Sequence, residues 1–260
     1  MRALLLAALL LAAAPAPARE LKVCADPNNL PFSNSNEEGF ENQIARIVAE
    51  ELGANITYVW HAQRRGNVRE TLNEGLCDLI PGVASSLEML GTTRPYYRSA
   101  YVALSREPDP IASFDDPRLA NLRIGVQLIG DDGSNSPPAH ALSRRGMVAN
   151  VRGYTIYGDY EEAAPQAAIV DAVAKGEVDL AFVWGPTAGY FARRAPQNLS
   201  IRPVQPLIDG PTLPMMFDIS MGLRREDREL KREVEAALAK RAAEIRAILV
   251  DYGVPLLDRD

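Results

Sequence analysis

The stretch NEGLCDLIPG at 73–82 returns further along as AKGEVDLAFVWG at 174–185: a helix-ending Gly, an Asp-Leu pair, then an apolar run closing on Gly. Gly75 answers Gly176 and Asp78 answers Asp179. A chain that writes one supersecondary design twice builds two similar lobes rather than one large core. The surrounding grammar agrees. In the first half, Lys22–Ala25 predicts a strand, and GFENQIARIVAEELG predicts a helix with Ile44, Ile47, Val48 and Leu52 on one face, stopped by Gly53. NITYVW, CDLIPGV and SAYVAL read as strands and NVRETLNEG as a short helix.

The second half repeats the alternation with NLRIGVQL and LAFVWG as strands and PPAHALSRRGM and AIVDAVAKGEVD as helices. REPDPIASFDDP at 106–117 and LSIRPVQP at 199–206 have the Pro and Asp content of crossings between lobes. MFDISMGLR is a returning strand, followed by one long helix from Asp227 to Asp251 presenting Leu230, Val234, Leu238, Ile245, Ile248 and Leu249. The expected architecture is α/β and two-lobed, each lobe a βα sheet sandwich with a parallel sheet, joined by a two-strand hinge that leaves a cleft. Lobe 1 takes 19–106 and 206–260, and lobe 2 takes 107–205.

The chain opens MRALLLAALLLAAAPAPA, with Arg2, an apolar run from Ala3 to Ala14 and a small-residue site at Ala16-Pro17-Ala18. This predicts a cleavable secretory signal over 1–18 and a periplasmic protein. No later stretch approaches the ~18 apolar residues of a membrane span, so no membrane insertion is expected. A formal net charge of −6 argues against nucleic acid and anionic lipid as partners. Cys24 and Cys77 begin the first and third apolar runs, which are neighbours in a doubly wound sheet. Export favours a disulfide between them, and two buried thiols are the alternative. With two His in the chain, His61 and His140, and no CxxC, no metal site and no cofactor are expected.

The loop VCADPNNLPFSN at 23–34 would leave the first strand at its carboxyl end, where open α/β sheets place ligands. That loop, with QRRG, TTRPYYRS, GVQLIGDDG, PPAHAL, RRGM, VWGPTAGYFA and DYGVPL, resembles the solute-binding-like proteins associated with quinoprotein alcohol dehydrogenases, the J proteins of methanol-oxidation operons. Their fold is that of the type II periplasmic binding proteins of solute-binding family 3. The resemblance covers nearly the whole chain after the signal. It implies a periplasmic accessory, without catalysis of its own, serving a dehydrogenase that uses pyrroloquinoline quinone, with the dehydrogenase's cytochrome c as a further partner.

Against the amino-acid binders of that fold the chain lacks both ligand clamps. The segment VASSLEML at 83–90 has no Arg for a carboxylate, and Gly185 stands where an Asp would hold an ammonium. Asp131 and Asp132 would repel an incoming anion. The residues expected at the ligand or partner cleft are Asp26, Asn28, Asn29, Phe32, Trp60, Arg64, Arg65, Tyr96, Tyr97, Gln127, Asp131 and Trp184, with Met215, Met216, Phe217 and Arg94 close by. Aromatics, Met and Arg dominate protein interfaces. Glu37, Glu38 and Glu41 read as a solvated helix entry favoured by the dipole. Catalysis is disfavoured: GxSxG, HExxH and GxGxxG are all absent from the sequence. Two functions remain open, a dehydrogenase accessory docking a partner protein or peptide, and a receptor delivering a small solute other than an amino acid to an ABC transporter.

Overall fold

The computed structural model describes residues 19–129, 135–156 and 160–258, so the signal segment and Asp131 lie outside the described residues. Strand β1 (Arg19–Ala25) leads through the Asp26–Asn34 loop to helix α1 (Phe40–Glu51) and strand β2 (Ala54–Trp60). α1 buries Phe40, Ile44, Ile47 and Val48, and its entry is fixed by Asn42, whose Oδ1 accepts from the backbone N–H groups of Gly39 (3.1 Å) and Asn34 (3.3 Å). A short helix α2 (Asn67–Glu70) precedes β3 (Ile80–Ala84) and the long strand β4 (Tyr97–Ser105). Then follow β5 (Ile124–Leu128), α3 (Pro137–Arg144), β6 (Val151–Thr155), α4 (Ala168–Ala174), β7 (Leu180–Trp184), α5 (Gly185–Ala192) and β8 (Ser200–Pro203). The chain closes with β9 (Met216–Leu223), α6 (Arg228–Lys240) and α7 (Ala242–Asp251).

The sheets are mixed rather than wholly parallel. β1 pairs β2 in parallel and meets the third run through a parallel Val23–Leu79 bridge. β5 pairs β6 and β7 in parallel, while β4 and β9 run antiparallel to their neighbours. β4 serves both lobes. Its residues Tyr97–Ala100 pair with β9, and Tyr101–Ser105 pair with β7, with β8 on the opposite edge. The change of partner thus falls between Ala100 and Tyr101, upstream of the Pro-rich segment from which a crossing was expected. On the return, Met215 is buried with the second lobe and Met216 pairs with Ala100. A continuous strand can cross because its backbone groups pair with one sheet along its first half and another along its second.

The cores follow the same division. Phe40, Ile44, Val48, Leu79, Met221 and Val234 fill one; Phe114, Leu119, Ile124 and Phe182 with Val102, Ile169 and Val183 fill the other. The sequence echo is a structural one. Gly75, in the turns that follow α2, and Gly176, just past the cap of α4, take φ 69° and 75°, a region a side chain resists. Asp78 donates its N–H to Lys22 O (2.8 Å) and accepts from Lys22 N (3.0 Å); Asp179 makes the same pair with Arg123 (2.8 and 2.9 Å). Arg224 donates to the carbonyls of Leu72 and Cys77, and Arg106 to those of Val173 and Val178, so each lobe uses one guanidinium to satisfy the carbonyls around the repeated turn.

Cys24 and Cys77 are bonded, their Cα atoms 5.6 Å apart, and both are buried with Leu72, Ile80 and Leu90. The expected single C-terminal helix is two. It breaks at Arg241, whose guanidinium is drawn to Glu51 (3.0 Å) and Glu244 (2.6 Å). Among the described residues no helix is long and apolar enough to cross a membrane.

Candidate functional site

A cavity of about 290 Å³ lies between the lobes. Asn29, Phe32, Glu41, Gln63, Gly82 and Tyr97 reach it from the first lobe; Tyr101, Gln127, Gln166, Trp184 and Thr187 from the second; and Phe217 from β9. Trp184 packs against Tyr101 (centroids 5.3 Å) and Phe217 (5.9 Å), an apolar corner at the end of β7. Phe32 meets Phe40 edge-on at 5.3 Å, and Phe40 in turn meets Tyr97 at 6.1 Å. Such aromatic pairs add about 0.5–1.5 kcal/mol beyond area burial and hold the walls in place. Gln127 is buried, and its Oε1 accepts from Trp184 N (2.7 Å), tying the wall to strand β5.

The Asp26–Asn34 loop closes the rim. Buried Asp26 accepts from the backbone of Asn28 (2.8 Å) and Gln63 (2.8 Å) and from Tyr160 Oη of the other lobe (3.1 Å). Asn28 donates to Glu162 O (2.7 Å), and Gln166 Nε2 donates back to Asn28 O (2.9 Å). Asp26 and Asn28 therefore bridge the lobes, while Asn29 and Phe32 line the space beneath.

Of the expected cleft residues, the structure brings Asn29, Phe32, Tyr97, Gln127 and Trp184 to the cavity wall. Others lie elsewhere. Trp60 stacks on Tyr58 along β2 (4.6 Å). Tyr96 donates its hydroxyl to Pro81 O (3.0 Å) and faces a surface groove with Arg94 and Glu235. Arg64 and Arg65 form the exposed turn before α2. Arg94 is exposed beside Glu235 on that outer face, and His140 is exposed on α3.

Glu41 corrects the expectation of a solvated helix entry. It is 2 % exposed. Its carboxyl presses so close to Gly82 that a Cβ there would come within 1.8 Å of Oε1. Oε2 is buried with no hydrogen-bond partner. Burial, reinforced by the charge of Asp26, pushes the Glu41 carboxyl up to about 8. Burial also raises Tyr96 and Tyr97 well above the usual phenol range, with Tyr97 and Glu41 adding to the shift at Tyr96 and Glu41 to that at Tyr97. The sequence held a usable signal: Glu41 shares a helical face with Ile44 and Val48, so whatever covers those residues covers it. Gln166 gave no such signal, because it sits in the short 3-10 turn Pro165–Ala167. Among the described residues no Lys or Arg lines the cavity, and no cluster of His, Cys, Asp and Glu is arranged to hold a metal.

Residues 21–253 match the model of the bacterial extracellular solute-binding proteins, family 3. Protein MoxJ of Methylorubrum extorquens is 33 % identical over 254 residues, 94 % of this chain and 84 % of that one. The crystal structure of periplasmic binding protein XoxJ from Methylobacterium extorquens AM1 superimposes with a TM-score of 0.75 at 36 % identity, covering 92 % of this chain and all of the other. MxaJ from Methlophaga aminisulfidivorans MPT gives a TM-score of 0.75 at 28 % identity, over 91 % of this chain and all of that one.

Proposed function

The chain belongs to family 3 of the bacterial extracellular solute-binding proteins, and from that premise we propose that it is a periplasmic accessory of a methanol or alcohol dehydrogenase that uses pyrroloquinoline quinone. In this reading it docks a partner protein or peptide at its cleft during maturation or activation of the dehydrogenase, whose cytochrome c is a second partner. It does so as a binding protein without chemistry of its own. The observation that carries the reading is whole-length likeness to proteins MoxJ, XoxJ and MxaJ, together with a cleft whose described lining residues include no cation to clamp a carboxylate. Trp184 and Phe217 supply the flat apolar area that interfaces favour. We place the hinge at Ala100–Tyr101 and Met215–Met216, where the sheet partners change.

A second reading, a receptor delivering a small solute to a membrane transporter, draws on the cavity beneath a bridged rim. Deletion of the gene separates the two. The accessory reading expects lower dehydrogenase activity in cells with alcohol uptake intact, and Trp184→Ala reproducing part of the loss in a folded protein. Normal dehydrogenase activity with defective uptake of some solute would replace it with the receptor reading.

A further inference from the structure

The cavity walls are unbalanced in one direction. Among the described residues that line it, two buried oxygens lack hydrogen-bond partners, Glu41 Oε2 and Gln166 Oε1, and both are acceptors once the Glu41 carboxyl is ionised. The orientation of Gln166 is set by its neighbours, because its Nε2 donates to two carbonyls, Asn28 O (2.9 Å) and Ile156 O (3.5 Å), which leaves Oε1 as the unpaired atom. A buried acceptor without a donor costs about 1–3 kcal/mol, and a buried carboxyl must either keep its proton or gain a cation. The remaining surface is aromatic. Rings of Tyr101, Trp184 and Phe217 meet at one corner, and ring faces attract positive charge.

We propose that this cavity binds a small organic ammonium ion, its N–H donors directed to Glu41 and Gln166 and its alkyl body resting against Trp184 and Phe217. This goes beyond the dehydrogenase reading and stands on the cavity alone. About 290 Å³ is at the small end of ligand sites, enough for a branched alkylammonium of a few carbons. The bridged rim suits a small free ion held beneath it.

Binding then has a chemical signature. Among the described residues, Asp26 from the end of β1, Tyr58 from β2, and Tyr96 and Tyr97 at β4 are the titratable groups electrostatically coupled to Glu41, and none is cationic. Glu41 therefore holds a proton near neutral pH in the free protein and releases it when an ammonium takes its place. Below the titration of the free Glu41, around pH 8, affinity rises with pH, because the proton and the ammonium compete for one carboxylate.

The test pairs tert-butylammonium with tert-butanol, which has the same branched bulk without the charge. Calorimetry on the intact protein in buffers of different ionisation enthalpy should show saturable binding of the cation, at least about tenfold tighter than the alcohol, with proton release near pH 7 that fades above about pH 9. Glu41→Gln should lose about tenfold or more in affinity together with the proton release, and Trp184→Ala should weaken binding about threefold or more. Equal affinity for cation and alcohol, no binding of the cation, or binding without proton release on the unaltered protein would each overturn the proposal. Dehydrogenase activity does not enter any of these measurements, so the accessory reading is judged separately.

Discussion

Replacing Glu41 by Gln should stabilise this protein increasingly as pH rises from 4.5 to about 8 and leave its stability nearly unchanged below 4.5. In the unfolded chain the carboxyl titrates near 4.5, and in the folded protein burial and Asp26 hold the proton to about 8. Below pH 4.5 both states carry the proton, and the glutamate and glutamine proteins differ little. Between those values the folded state keeps a proton that the unfolded state has released. Stability of the Glu41 protein therefore falls as pH rises, by about 1.4 kcal/mol per pH unit. Above about 8 the loss is complete and constant, on the order of 4–5 kcal/mol, a large share of a typical domain's margin. The glutamine side chain of the variant fills the same space against Gly82 without a charge at any pH. Urea unfolding followed by circular dichroism from about pH 5 to about pH 9 measures this directly, and because all other titrating groups are common to both proteins, only the difference between them matters. A difference that stays flat across that range would show that Glu41 is hydrated or paired in solution, and would remove the physical basis for an ionisable cavity floor.

The bonded pair Cys24–Cys77 closes a separation of 53 residues, so unfolding without reductant should reveal no free thiol, and Cys24→Ala with Cys77→Ala should cost about 4 kcal/mol; two titratable thiols in the unfolded, unreduced protein would refute it. Arg224→Met strips the donors from Leu72 and Cys77 carbonyls and should lower stability by about 2–3 kcal/mol in chemical denaturation, whereas a loss under about 0.5 kcal/mol would mean that water serves those carbonyls equally well. With no cation on the described cavity wall, standard L-amino acids should give no calorimetric signal at micromolar concentrations, and a saturable signal from any of them would require a carboxylate clamp absent from that described wall.

Several features were legible in the sequence for local reasons. The face of α1 follows from the spacing of Ile44, Ile47 and Val48, since a helix repeats every 3.6 residues whatever surrounds it. The duplicated turn was visible because Gly75 and Gly176 meet a backbone demand that few other residues meet, and Asp78 and Asp179 serve donors within the same supersecondary unit. The whole-length resemblance gave the fold, and the two lobes of that fold are what the sheets and cores display.

Tertiary structure decided where the lobes meet and what they enclose. From the sequence, Glu41 reads as part of a solvated helix entry, and its burial at the cavity depends on residues such as Gly82, Gln166 and Trp184, far away in the chain. The change of sheet partner within β4 was hidden because an apolar run reads alike whether it pairs with one strand throughout or with two in turn. Trp60, Arg64, Arg65 and Tyr96 have the composition of a binding surface, but side-chain direction alternates along a strand and turns with the loop, so composition alone could not say which would reach the cavity. Local backbone preference is written residue by residue; the contents of a cleft are set by the rigid placement of two lobes, a property of every long-range contact at once.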